Sequence, residues 1–343
     1  MKKYAKIIFI LSLILILSAC NKSTLDAPVS PTSGNLRIAR QYSIMYAPVY
    51  VIEKKELLKK YLPNMTVEWS EFGSGAVINE ALAANRLDIA FVGTPVSFIA
   101  WDKGVEIKIL SNVCVSPLGL QVNNPAIKSL ADFTETDKIA LPNIGSIQHI
   151  ILSMACEKEL GDAHALDNNL VSMTHPDGAM ALINGGGVSA HFTALPYIAQ
   201  ENAAGFETIM TGIDAFGGDY STIVAVAARK LYDTNPMALA GFLGALSEAM
   251  YLINQRDPDV INIIAETEKI TIEEVQEFLD WSGTNYTTTL YGLDGMLDFM
   301  MTQGYISKKP EMDQILWESA YSTIGLRSGD AGILETAQKR IVE

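Results

Sequence analysis

The sequence predicts an α/β protein: two α/β lobes with a central cleft, followed by C-terminal helices. Three observations lead there. Strand-like and helix-like segments alternate in two successive series, long β runs stand between and after them, and the chain beyond about residue 235 is helical in pattern. Such alternation gives mostly parallel sheets with helices on both faces. Hydrophobic residues fill 49% of the 343 positions, enough for two lobes with substantial cores.

The first series opens with a β run at 36–42. A helix is expected over 47–61, where Val49, Ile52, Leu57 and Leu58 form an apolar stripe. A strand at 65–72 leads to a helix at 75–87, with Val77, Ile78, Ala81 and Leu82 on one face. A strand at 88–92, a helix at 95–103 and a strand at 106–115 complete the series. The second has strands at 120–122, 138–141, 170–173, 188–193 and 207–210. Its helices are expected at 147–160, 176–184 and 196–204, the first stopped by Gly161 as a left-handed cap. Gly185-Gly186-Gly187 precedes a strand rather than a helix, which makes it a turn and not a phosphate loop.

A β run at 220–228 follows. Asn235-Pro236 then supplies an N-cap and a first-turn proline for a helix to 254, and Asp257-Pro258 opens another. Thr271-Ile272-Glu273-Glu274 is a capping box, and a last helix covers 292–303. The β runs at 113–122 and 220–228 carry the chain between lobes twice. The first lobe is therefore 36–119 with 222–343, and the second is 120–221.

The N-terminus has a different character. Lys2, Lys3 and Lys6 precede an apolar run at 7–17, broken only by Ser12 and followed by Ser18-Ala19-Cys20. That run is shorter than the roughly 20 residues of a membrane span and fits a secretory signal. Leu17-Ser18-Ala19-Cys20 resembles a bacterial lipobox, whose cleavage leaves Cys20 as a lipid-bearing N-terminus. Residues 21–35 are polar and aperiodic and read as a flexible tether. The expected location is extracytoplasmic, on the bacterial cell membrane, held by the lipid anchor only.

The chain carries 25 Lys+Arg against 39 Asp+Glu; without the three signal lysines this becomes 22 against 39, a net charge of −17. That excludes nucleic acid as an expected partner, since polyanion binding needs clustered Lys and Arg. Cys114 ends a β run and Cys156 lies mid-helix, so both are expected as buried free thiols. His149, His164, His175 and His191 are scattered, and neither metal nor cofactor is expected. No GxSxG elbow, HExxH helix or paired nucleophile and base occurs, so no enzyme is expected.

A cleft between such lobes is lined by strand C-termini and helix N-termini, where free amides attract polar or anionic groups. Gly73-Ser74-Gly75 and Gly93-Thr94-Pro95 each follow a strand and open a helix, with Thr94 expected as an N-cap. Gly145-Ser146 opens the second-lobe helix, with Gln148 and His149 next. Ordinary capping explains each equally well. Met45 and Tyr46 end the first strand region at the cleft mouth, and Ser116 follows the fourth strand. His191 and Thr193 lie on the late second-lobe strand. Tyr220 and Ser221 precede the return crossing, as hinge, lining or both. The expected ligand-binding set is thus Met45, Tyr46, Ser74, Gly93, Thr94, Ser116, Ser146, Gln148, His191, Thr193, Tyr220 and Ser221. These loops hold almost no Lys or Arg, which argues against phosphate or citrate. A small sulfonate or carboxylate, or a heterocycle stacked on Tyr46 or Phe192, stays open.

Several segments resemble one family. Tyr46-Ala47-Pro48-Val49-Tyr50-Val51, with Glu53-Lys54 and Leu57, is similar to a segment of nitrate/sulfonate/taurine-type ABC-transporter substrate-binding proteins. So are Gly73-Ser74-Gly75, Asn79-Glu80-Ala81-Leu82-Ala83-Ala84, Leu87-Asp88-Ile89-Ala90-Phe91 and Val92-Gly93-Thr94-Pro95. Ile127-Lys128-Ser129-Leu130-Ala131-Asp132-Phe133 and Tyr286-Thr287-Thr288-Thr289 extend the likeness. The chain departs from the family pattern at Ser189 and at Ala194-Leu195. The resemblance implies a type II periplasmic-binding-protein fold and a monomer that captures a small solute for an ABC permease with its ATPase. Thiamine-pyrimidine synthases share that fold, so a pyrimidine or other heterocycle is the alternative solute. A sensory lipoprotein without transport is the alternative role.

Overall fold

The computed structural model describes residues 33–318. The first sheet contains β1 (Ser33–Arg40), β2 (Asn64–Glu71), β3 (Ile89–Gly93), β4 (Ile107–Cys114) and β10 (Ile223–Ala228), in the order β2-β1-β3-β10-β4. The second contains β5 (Leu118–Val122), β6 (Ile139–Leu141), β7 (Leu170–Ser172), β8 (Ala190–Ala194) and β9 (Glu207–Thr211), in the order β7-β6-β8-β5-β9. β1 runs parallel to β2 and β3, and β6 to β7 and β8. Each sheet has one reversed strand. β10 lies antiparallel between β3 and β4, and β5 antiparallel between β8 and β9. These reversed strands are the first to enter the second sheet and the one that returns to the first.

The helices are α1 (Ala47–Lys54), α2 (Leu57–Tyr61), α3 (Gly75–Ala83), α4 (Thr94–Asp102), α5 (Ile147–Leu160), α6 (His175–Asn184), α7 (Tyr197–Ala203), α8 (Gly212–Phe216), α9 (Arg229–Thr234), α10 (Pro236–Asn254), α11 (Pro258–Glu268), α12 (Ile272–Asp280), α13 (Leu293–Thr302) and α14 (Met312–Ile315). The expected helix at 47–61 is two helices. Glu56 sits at φ 53, a left-handed conformation that breaks the ladder and turns Leu57 and Leu58 into the core. β1 also begins earlier than expected: Ser33-Gly34-Asn35 pair with Asn64-Met65-Thr66, so the tether cannot extend through them. α8, α9 and α14 were not anticipated, because four to six residues are too few to show a helical period.

Local signals act as their chemistry predicts. Gly161 closes α5 at φ 73, Asn235 caps α10 through Ala238 N–H, and the Thr271 capping box opens α12. Cys114 and Cys156 are buried and free. α10 is long and apolar enough to cross a membrane by length and composition. It serves instead as a core helix, burying Leu239, Phe242, Leu246, Met250 and Ile253. One continuous apolar core joins the two sheets.

Where the chain crosses between sheets, three segments are laced together. Thr222 N–H donates to Cys114 O (3.0 Å) and Ser116 N–H to Thr222 Oγ1 (3.0 Å). Asn285 and Val115 form an antiparallel bridge, while Asn112 Nδ2 donates to Thr287 O (2.8 Å). Ser221 N–H donates to Tyr291 O (3.0 Å), and Tyr291 N–H returns a bond to Ser221 Oγ (3.0 Å).

Candidate functional site

A narrow cavity of about 20 Å³ lies where the two sheets face each other. From the first sheet it is lined by Gln41, Tyr42, Met45, Tyr46, Gly73, Gly75, Gly93, Val96 and Ile223, and from the second by Pro142, Asn143, Ser146, Ile147, Gln148 and His175. These residues follow β1, β2, β3, β6 and β7 or begin β10, so the strand ends converge as an α/β site requires. The walls nearly touch. A Cβ on Gly73 would lie 2.8 Å from Thr174 Cγ2, and one on Gly93 would lie 3.3 Å from Ile147 Cβ.

Five helices begin at this cavity. α1, α3 and α4 start from the first-sheet side at Tyr46, Ser74 and Gly93, none with a side-chain cap. α5 and α6 start from the other side and are capped: Ser146 Oγ accepts from His149 N–H, and the Thr174 side chain accepts from Asp177 N–H. Gly93, not Thr94, occupies the cap position of α4. The positive ends of five helix dipoles therefore converge on one space. No Lys, Arg, Asp or Glu lines it among the described residues.

Of the expected site residues, Met45, Tyr46, Gly93, Ser146 and Gln148 line the cavity. The half-buried Ser74 stands between two lining glycines. The others are placed behind the walls. Thr94 is buried and gives its hydroxyl to Ser221 O (2.5 Å), which holds α4 against the return crossing. Ser116 and Ser221 are tied into the laced crossing. Tyr220 is buried against Phe216, and burial pushes its phenol up. Cys20 lies outside the described residues.

His191 and Thr193 reach the cavity only through a residue that the sequence reading passed over. His175 lines the wall, with Nε2 3.1 Å from the Gln148 amide. Its Nδ1 is 3.2 Å from His191 Nε2 and 3.0 Å from Thr193 Oγ1. His191 Nδ1 is 2.6 Å from Glu201 Oε1, with both side chains fully buried. Burial lowers both histidines, His191 to about 3, and raises Glu201 to about 9. The four histidines thus fall into two pairs rather than standing apart, His149 and His164 sharing Asp167 at 3.3 and 2.8 Å. No group of three His, Cys, Asp or Glu among the described residues is arranged to hold a metal.

Gln41 and Asn143 were also missed. Gln41 Nε2 donates to Tyr46 OH (3.0 Å) and so orients the phenol. Asn143 Oδ1 is buried at the wall without a partner. Neither sits in a motif, and the only available signal was position just after a strand.

Residues 31–268 match the NMT1-like family. The chain is 25% identical over 231 residues to a putative aliphatic sulfonates-binding protein of Escherichia coli K12, covering 66% of this chain and 69% of that protein. It superposes on the crystal structure of the periplasmic aliphatic sulphonate binding protein SsuA from Escherichia coli with a TM-score of 0.64 at 22% identity, covering 84% and 93% of the two chains. On the periplasmic nitrate-binding protein NrtA from Synechocystis the TM-score is 0.67 at 17% identity, covering 85% and 88%. The fold is that of the periplasmic binding proteins.

Proposed function

The chain belongs to the NMT1-like family, and from that premise we propose that it is the extracytoplasmic solute-binding component of an ABC importer, specific for a small singly charged oxyanion of the sulfonate class. The observation that carries this reading is the convergence of five helix N-termini on a cavity without charged side chains. A sulfonate has one negative charge spread over three acceptor oxygens. First-turn amides of α3 match it without a lysine or arginine; in α1 and α4, Pro48 and Pro95 have no N–H, and Ala47 and Thr94 N–H already bond Ile44 O and Thr222 O, so these helices contribute mainly their dipoles. A dianion would leave charge unmatched in a space lined by no cationic side chain among the described residues.

The two sheets act as the two lobes, with the laced crossing as hinge. Solute entry needs the lobes apart and capture needs them together, so solute shifts the equilibrium toward the closed form. The closed form is what the permease and its ATPase receive. Cys20 carries the lipid that keeps the monomer at the membrane, and residues 21–32 are the leash.

The test is thermal unfolding with methanesulfonate, taurine, nitrate, phosphate and a pyrimidine. A ligand at a hundred times its Kd adds about 2.7 kcal/mol of stability. Methanesulfonate or taurine should raise the Tm while phosphate leaves it unmoved. A shift with the pyrimidine alone, or with none of these compounds, overturns the reading.

A further inference from the structure

Behind the cavity wall, Gln148, His175, His191 and Glu201 form an unbroken line of hydrogen bonds from α5 through α6 and β8 to α7. Nothing in solute capture by helix amides requires two histidines and a glutamate buried in series. Gly178 makes the line possible: a Cβ there would lie 2.7 Å from His191 Nε2, so only glycine lets α6 approach closely enough for His175 to reach its partner.

We propose that His175 reads the solute from the second-sheet wall, and that the His191–Glu201 pair behind it decides whether His175 offers the cavity a donor or an acceptor. Each neutral imidazole has one N–H, so the line has two consistent directions. In one, Glu201 is protonated and its O–H donates to His191 Nδ1. His191 Nε2–H then donates to His175 Nδ1, and His175 Nε2–H points toward the cavity and toward Gln148, whose amide must turn so that Oε1 takes the place of Nε2. In the other, Glu201 is a carboxylate, His191 donates from Nδ1, His175 donates from Nδ1, and His175 Nε2 is an acceptor at the cavity wall, taking a bond from the Gln148 amide nitrogen. The two directions differ by one proton, released to solvent from the line as a whole.

The surroundings of Glu201 favour the first direction, although the Gln148 amide as it stands fits the second and joins the first only by turning over. Glu201 Oε2 is buried with no partner, tolerable for a neutral carbonyl oxygen and costly for a carboxylate. No cation pairs with Glu201 among the described residues. Burial raises Glu201 to about 9, in the same sense. The other titratable groups at these elements do not compete. Tyr197 stacks on His175 at 5.7 Å, and burial pushes its phenol up, as it does those of Tyr46 and Tyr42 at the cavity. Tyr197 in turn faces Glu268, Tyr42 and Glu71. Thr193 Oγ1 shares His175 Nδ1 with His191 Nε2; it competes for the one lone pair in the first direction and for the one N–H in the second, and so does not choose between them.

The consequence for binding rests on the anionic solute proposed above; the proton position does not. The test therefore has two arms. In the solute-free protein, ¹⁵N NMR of the histidine rings should show His175 and His191 as Nε2–H tautomers at pH 7, changing to Nδ1–H above about pH 9. Glu201→Gln, whose amide donates to His191 Nδ1 at every pH, should hold the Nε2–H form throughout. Nδ1–H tautomers at pH 7 in the wild type overturn the proposal. In the second arm, methanesulfonate affinity of the wild type should weaken at least tenfold between pH 7.5 and 10, while Glu201→Gln loses that fall. The same pH profile in both proteins also overturns it. Expected tautomers without any methanesulfonate binding uphold the relay and reject the solute.

Discussion

Ser43 on the first-sheet side gives its hydroxyl to the carbonyl oxygen of Leu195 on the second-sheet side, at 2.8 Å and fully buried. Ser43 holds an unusual backbone to do so, with φ 122, and its hydroxyl oxygen also accepts from Met45 N–H (3.2 Å). The bond spans the two sheets beside the cavity and exists only while they are together. Ser43→Ala removes the Leu195 bond, worth about 1 kcal/mol, from the closed form alone, and the local Met45 bond from both forms. Solute affinity, measured by calorimetry, should fall about fivefold, chiefly through faster release.

Glu268 controls the same latch. Tyr50 OH lies 2.8 Å from Ser43 O and 2.5 Å from Glu268 Oε1. The phenol has one proton for two oxygens, and donated to Glu268 it favours the carboxylate. Desolvation outweighs that bond and raises this carboxyl to about 7. The folded value lies above an unfolded value near 4.3, so stabilisation present in acid is lost as pH rises through 7. The Tm should fall between pH 5 and 8, and Glu268→Gln should flatten that part of the profile. An identical slope in both proteins refutes the assignment.

Thr94 and Ser146 separate structural from binding roles. Thr94→Ala strands Ser221 O in the interior, costing about 1–3 kcal/mol. The Tm should drop while solute affinity stays within about twofold. Ser146→Ala loses an N-cap worth about 1 kcal/mol and also alters the cavity wall, so Tm and affinity should fall together.

Gly73 tests closure. A Cβ there meets Thr174 Cγ2 at 2.8 Å, and Thr174 cannot turn away without abandoning its cap on Asp177 N–H. Overpacking of this kind costs about 1–3 kcal/mol. Because it acts only when the sheets approach, Gly73→Ala should weaken solute binding about tenfold with little change in solute-free Tm.

Most of the architecture was legible because it rests on period and punctuation. All ten strands, Gly161, Asn235 and the Thr271 box could be read from neighbours in sequence. The left-handed Glu56 could not, since nothing local demands it. The cavity was half legible. Position after a strand found Met45, Tyr46, Gly93, Ser146 and Gln148, but could not say which way a side chain turns. Thr94 has the position of a contact and the partner of a brace. His175 looked like any first-turn residue until β8 and α7 placed His191 and Glu201 behind it, pairings 16 and 10 residues apart.

The crossing near Ser116 and Thr222, braced by the segment from Asn285 to Tyr291, has a mechanical consequence. A single connecting strand would let the lobes wander in every direction. Three segments bonded side by side resist shear and splaying better than one and leave torsion as the easier motion. In the importer proposed above, the opening that admits a solute and the geometry offered to a permease would then be one variable. The empty protein would show its captured shape only as often as that torsion closes unaided, which would set the rate of cycling without cargo.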